Sequence, residues 1–210
     1  VIPQFAVYLF DVDGTLLDSA DDICGAVQET LAGTPCGALG KSDLTRYIGV
    51  HLLDMYRELL PDLTPHQHDE LIQRYRALYP ARQHKATRLY PGVKEALAAL
   101  PGRKSTATTK GTPTTRTVLE LFGLIRYFDH VQGTDGFPHK PAPDVILKSI
   151  EALAVRPGDC LLVGDSAADM EAGRRAGVKI CAVRYGYGDA AVLARFQPDY
   201  WVDDLRELAD

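Results

Sequence analysis

Two carboxylates stand one residue apart in Asp11-Val12-Asp13-Gly14-Thr15, directly after the apolar run Ala6 to Phe10. Acids packed together at the end of a buried strand repel each other unless positive charge joins them. A hard cation such as Mg²⁺ would do so, because it takes one or two carboxylates along with phosphate oxygens and water. Gly14 would let the backbone approach a ligand closely. The segment also fits a turn with acidic helix caps. An EF-hand loop fits less well, since its glycine belongs at the sixth position and no glutamate completes it here.

A second acidic pair lies in Gly164-Asp165-Ser166-Ala167-Ala168-Asp169, after the apolar run Cys160 to Gly164. Asp165 closes that run, and Asp169 follows one helical turn later, so both can face one point. An ordinary helix N-cap at Asp165 or Ser166 is the other reading. In His139-Lys140-Pro141-Ala142-Pro143, Lys140 is either a solvated loop lysine or a point charge for a phosphate or carboxylate. In Thr106-Ala107-Thr108-Thr109-Lys110, a hydroxyl at a strand end could bind a phosphate oxygen with help from backbone N–H groups.

Elements must position these groups. Ala6 to Phe10 reads as a buried strand. Between about Ser19 and Tyr79 the signals are helical: Thr64-Pro65 starts a helix carrying Leu71, Ile72, Tyr75 and Leu78, and Ser42 with Leu44, Tyr47 and Ile48 suggests a shorter one. No parallel strand is expected there. From Tyr90 the rhythm changes. Pro91-Gly92 opens a helix with Val93, Leu97 and Leu100. Lys104 to Thr109 is a strand candidate. Thr112-Pro113 starts a helix that Gly123 ends. Strands are expected at Phe128 to Gln132, Cys160 to Gly164, Val178 to Val183 and Asp199 to Val202. Helices are expected at Pro143 to Ala154 and Ala167 to Ala176.

This alternation implies an α/β fold, a doubly wound parallel sheet covered on both faces, with a small α-helical domain inserted after the first strand. The expected boundaries are residues 1–16 and 89–210 for the core and 17–88 for the insert. In open parallel sheets ligands bind at the carboxyl ends of strands. Asp11, Thr108, Lys140 and Asp165 all lie at or shortly after apolar run ends.

The 210 residues are 46% hydrophobic and 24% charged, as in an ordinary globular protein. A net charge of −5 and the lack of a basic stripe argue against a nucleic-acid partner. No apolar run reaches the ~20 residues needed to span a bilayer, so no membrane partner is expected. Val7 to Phe10 is too short for a secretory leader. Because the chain begins at Val1 rather than Met, a few residues are expected to precede it. Cys24, Cys36, Cys160 and Cys181 form no C-x-x-C pair and no zinc spacing, which points to free thiols in a reducing cytoplasm.

Taken together, the four segments resemble the motifs of the haloacid dehalogenase superfamily of phosphohydrolases, in its phosphoglycolate-phosphatase-like branch. The motifs are DVDGT at Asp11, the Thr108 position, KPAP at Lys140 and GDSAAD at Asp165. LYPGV at Leu89 to Val93 is similar to the return from cap to core in such proteins. Relatives often carry Asn where Thr109 stands, and their second strand is more apolar than Lys104-Ser105-Thr106.

The resemblance implies a phosphatase acting on a small phosphate ester. Asp11 would be the nucleophile and form an aspartyl-phosphate. Asp13 would protonate the leaving oxygen and later activate water. Mg²⁺ would be held by Asp11, the backbone carbonyl of Asp13 and Asp165, with Asp169 either ligating the ion or orienting Asp165. Thr108 and Lys140 would bind the transferring phosphoryl group, with Gly14 and Thr109 beside them. The helical insert would be a cap that excludes water, and Arg46, Tyr47, Gly49 and His51 are its substrate-side candidates, with surface exposure or packing inside the cap as the other reading of each. His66, His68 and His84 are expected to be solvated. A monomer or homodimer is expected. The rival readings are a β-phosphoglucomutase-like phosphomutase and, outside enzymes, a phospho-acceptor signalling domain. The latter should carry its acceptor after a mid-chain strand, and here the acid follows the first.

Overall fold

The structure is a computed structural model that describes residues 1–209. Its chain divides into two compact units, Val1–Asp18 with Leu89–Asp210, and Ser19–Arg88.

In the first unit, strand β1 (Val7–Phe10) is buried on both faces. After it the chain turns tightly and forms β2 (Leu17–Asp18). The second unit holds α1 (Ala20–Leu31), α2 (Lys41–Leu44), α3 (Leu52–Leu59) and α4 (Pro65–Ala81). The start of α4 follows from its sequence: Thr64 accepts from the Gln67 N–H while the Gln67 side chain accepts from the Thr64 N–H, and proline occupies the first turn. Strand β3 (Arg88–Leu89) pairs with β2 in a two-stranded sheet.

The rest of the first unit runs α5 (Val93–Ala99), β4 (Arg103–Thr106), α6 (Thr112–Leu121), α7 (Asp144–Ala152), β5 (Cys160–Gly164), α8 (Ala167–Ala176), β6 (Lys179–Val183), α9 (Ala190–Ala194) and β7 (Tyr200–Val202). The large sheet has the order β4-β1-β5-β6-β7, with every pairing parallel.

Side chains alternate across a strand, so each central strand feeds two cores. Tyr8, Phe10, Leu161, Val163, Cys181 and Val183 pack on one face with Val93 and Leu97 of α5 and Val118 and Leu119 of α6. Val7, Leu9, Leu162, Ile180 and Ala182 pack on the other with Val145 and Ile146 of α7 and Met170 and Ala172 of α8. Each fully buried Leu, Val or Ile contributes roughly 1.5–3 kcal/mol, so the two apolar layers fix both the strands and their register.

Two expectations are corrected. Phe128 to Gln132 is not a strand; only an isolated bridge joins Ser105 and His130. The cause is the polar edge strand β4. The Asp129 and His130 N–H groups both donate to the Lys104 carbonyl, and the Gln132 N–H donates to Thr106 Oγ1 at 2.8 Å. A side-chain hydroxyl thus replaces the next rung of the ladder. His68 is buried rather than solvated, with Nε2 3.0 Å from the Leu60 carbonyl oxygen. His84 is half-buried with its ring edge against Tyr79, whereas His66 is exposed. The four cysteines are free thiols. No helix among the described residues is long and apolar enough to cross a membrane.

Candidate active site

Register brings the acids together. Phe10 pairs with Thr106 on one side and Val163 on the other, so β1, β4 and β5 end side by side. Asp11, Ala107 and Gly164 are the adjoining residues, and their loops share one end of the sheet. The Asp11 N–H donates to the Val163 carbonyl at 3.0 Å and the Ala107 N–H donates to that of Phe10 at 2.8 Å.

Asp11, Asp165 and Asp169 each place a carboxylate oxygen within 4.8 Å of the other two, and all three are buried. Lys140 reaches the same point. Its Nζ lies 3.0 Å from Asp11 Oδ1 and 2.5 Å from Asp169 Oδ1, and donates to the Ala107 carbonyl at 2.8 Å. The lysine is only 2% exposed, so the solvated reading of that loop does not hold.

The other contacts of the acids separate their roles. Asp169 Oδ2 accepts from the Ser166 N–H at 3.0 Å and from Ser166 Oγ at 2.6 Å. Ser166 in turn caps α8 by accepting from the Asp169 N–H, so the cap and the acid cluster are one structure. Both oxygens of Asp169 therefore already face protein donors. Asp165 accepts from Thr15 Oγ1 at 3.1 Å and from the Tyr187 N–H at 2.8 Å. Gly14 makes this packing possible: it sits at φ +89°, and a Cβ there would lie 2.3 Å from Asp165 Oδ2.

Charge in the cluster is unbalanced. Burial, aided by Asp169 and Asp13, pushes Asp11 up to about 6 despite the opposing Lys140. Burial, with Asp169 and Asp11 beside it, holds Asp165 well above the usual carboxylate range, against the Tyr187 and Thr15 hydrogen bonds. Burial alone would pull Lys140 down, but Asp11 and Asp169 outweigh it and hold the ammonium above its usual value. Three buried carboxylates against one buried ammonium, with oxygen donors alone, fit a hard divalent cation.

Thr108 is buried, and its Oγ1 accepts from the Lys110 N–H at 3.3 Å, which leaves its hydrogen to point elsewhere. Thr109 is half-buried beside it. Asp13 stands apart from the three-acid cluster, is half-buried, and pairs with Lys110 at 3.2 Å.

The candidates in the helical unit have partners inside that unit. Arg46 stacks on the Tyr47 ring at 4.7 Å and lies 3.3 Å from Glu58. His51 Nδ1 caps α3 by accepting from the Leu53 N–H at 3.3 Å, and Gly49 adopts φ +88°.

Sequence reasoning assigned no role to Lys110, Thr15 or Tyr187. Lys110 and Thr15 lie inside segments already singled out, yet nothing in spacing marks their contacts. Tyr187 follows β6 in the run Tyr185-Gly186-Tyr187-Gly188, and its position after an apolar strand is the one available signal.

A five-stranded parallel sheet flanked by helices, with an acid–lysine cluster at the strand ends, places the chain among α/β proteins with an acidic site at the carboxyl edge of the sheet. The family described as haloacid dehalogenase-like hydrolase matches residues 8–183, and the chain belongs to that family. It is phosphoglycolate-phosphatase-like: it is 34% identical over 182 residues to the phosphoglycolate phosphatase of Aquifex aeolicus, covering 86% of this chain and 85% of that protein. It is 32% identical to a pyrophosphatase of Halalkalibacterium halodurans, covering 96% and 94% of the two chains. Among solved structures, a haloacid dehalogenase-like family hydrolase from Streptococcus pneumoniae superposes with a TM-score of 0.87 at 26% identity, covering 97% and 96%.

Proposed function

We propose that this chain is a Mg²⁺-dependent phosphatase that cleaves small phosphomonoesters, 2-phosphoglycolate foremost, through a phosphoryl group carried on Asp11. The observation that carries this reading is the excess of buried negative charge around Asp11, Asp165 and Asp169 with a single ammonium, Lys140, among them.

An Asp11 carboxylate oxygen attacks phosphorus. A new O–P bond forms, and the ester P–O bond breaks. The departing oxygen takes a proton from Asp13. Asp13, now a carboxylate, removes a proton from the water that attacks the phosphoryl group, releasing inorganic phosphate and restoring Asp11. An anionic nucleophile must approach an anionic substrate, so positive charge has to offset their repulsion. Bound Mg²⁺ supplies that charge and polarises the phosphoryl oxygens. Asp11, Asp165 and the Asp13 carbonyl are its proposed holders. Asp169 already pairs with the Lys140 ammonium through one oxygen and with Ser166 through the other, whereas Asp165 meets only neutral donors, which favours orientation of the cluster by Asp169 over direct ligation. Lys140 steadies Asp11 and, by its charge alone, offsets that of the incoming phosphoryl group, and Thr108 donates its hydroxyl to a phosphoryl oxygen. We assign the helical unit, within residues 17–88, the role of cap on the grounds that it is inserted shortly after the strand that leads into Asp11. The four free thiols support a reducing cytoplasm as its setting.

The test is phosphate release from 2-phosphoglycolate, sugar phosphates and pyrophosphate, each with Mg²⁺ and with chelator. Mg²⁺-dependent release from a monoester is expected. Equal rates in chelator, or no release from any monoester, would overturn the reading.

A further inference from the structure

The loop after β4 brings a second ammonium to the site. Lys110 Nζ lies 3.2 Å from Asp13 Oδ2, and the two side chains are only 10% and 12% exposed. Lys140 cannot serve Asp13 in the same way, because Asp11, Asp169 and the Ala107 carbonyl already engage it.

The backbone beneath Lys110 is held from several directions. Its N–H donates to Thr108 Oγ1 at 3.3 Å, and its carbonyl accepts from the Thr134 N–H at 3.1 Å. Thr134 Oγ1 donates to the Thr108 carbonyl at 3.0 Å. The neighbouring segment passes so close that a Cβ at Gly133 would lie 2.2 Å from the Lys110 carbonyl oxygen. A surface ion pair between mobile side chains contributes little, but this pair is largely withdrawn from water and rises from a fixed loop.

We propose that Lys110 is the positioning residue for Asp13. Its ammonium anchors Oδ2 and so fixes the plane in which the Asp13 carboxyl group meets the leaving oxygen. Lys110 keeps its proton throughout; the transferred proton travels only between Asp13 and the ester oxygen or water. This inference rests on the reading of Asp13 as the proton-transfer group.

The experiment compares kcat/KM for 2-phosphoglycolate, an alkyl ester whose leaving oxygen needs a proton, with 4-nitrophenyl phosphate, whose leaving group departs without one. Because kcat/KM covers steps only through loss of the leaving group, later hydrolysis does not enter. The variants are Lys110→Met, Lys110→Arg and Asp13→Asn, all in saturating Mg²⁺. General acid catalysis contributes about 10²–10⁴-fold. Lys110→Met is expected to lose about 10- to 100-fold on the alkyl ester and no more than about threefold on the aryl ester, with Lys110→Arg recovering most of the loss. Equal loss on both substrates, as a structural role would give, or no loss on either, would overturn the inference. Asp13→Asn should show the same selectivity more strongly. If Asp13→Asn lost both activities equally, the reading of Asp13 itself would fail, which separates the two ideas.

Discussion

Asp22 and Asp11 are equally buried, each 2% exposed, yet the protein treats them differently. Asp22, in the helical unit, is well supplied with donors at one oxygen and has a guanidinium near the other. Its Oδ2 accepts from the Ala86 N–H at 3.0 Å, the Thr87 N–H at 2.8 Å and Thr87 Oγ1 at 2.7 Å, while Arg82 Nε stands 3.5 Å from Oδ1. One carboxylate thus answers three hydrogen bonds and a guanidinium. Asp11, in the α/β unit, shares one ammonium with Asp169 and has Asp165 within 4.8 Å. A buried acid whose charge is met by hydrogen-bond donors and a guanidinium holds structure together. Buried acids short of positive charge store an imbalance that a bound cation can relieve.

If that contrast is right, removing charge has opposite consequences in the two places. The largest effect is expected for Asp11→Asn, which should lower kcat by at least about 10³-fold, several kcal/mol at ~1.4 kcal/mol per tenfold. Its metal-free fold should be no less stable than wild type. The raised Asp11 value also gives a pH signature. The unfolded chain ionises this group near 3.8 and the folded chain near 6, so its contribution favours folding at low pH and is lost as pH rises through that window. In divalent-free buffer, wild type should therefore lose stability relative to Asp11→Asn between about pH 4 and 6, measured by urea denaturation. A difference that does not change with pH would break the contrast.

Asp22→Ala should act in the other direction. It strands the Ala86 and Thr87 donors, while Arg82 keeps its pairing with Glu29, and leaving buried donors unsatisfied costs about 1–3 kcal/mol. Urea midpoints should fall accordingly. The smallest effect is expected for Tyr187→Phe. The Tyr187 hydroxyl donates to Asp18 at 2.8 Å near the surface, while the contact with Asp165 comes from its backbone N–H. Losing that hydroxyl should cost about 0.5–1.5 kcal/mol or less and leave kcat within about twofold. A large fall in kcat would show that the side chain, rather than the backbone, secures Asp165.

How much of this was legible in the sequence depended on how local the cause was. Cys160 to Gly164 is apolar throughout because it is buried on both faces, and Ser166 and Gly177 bound α8 by cap chemistry alone. These elements read directly. Asp11, Lys140, Asp165 and Asp169 were found by motif, and their convergence follows from parallel register. Where a partner is distant in sequence, the signal vanishes. Phe128 to Gln132 has strand composition, but Thr106, 26 residues away from Gln132, takes the hydrogen bond that would have continued the ladder. His68 carries no mark of burial until Leu60 is seen to accept its ring nitrogen. Strands β2 and β3 have two residues each, too few for a period to show. The Lys110–Asp13 pair spans two loops, and no spacing rule connects them.

The central claim is that the cluster around Asp11 is completed by one divalent cation. Calorimetric titration of metal-free protein with Mg²⁺ tests it most directly. The account predicts one ion per chain for wild type and loss of that binding in Asp165→Asn, with Asp22→Asn titrating as wild type does. No Mg²⁺ binding by wild type, or binding that Asp165→Asn leaves unchanged, would contradict it.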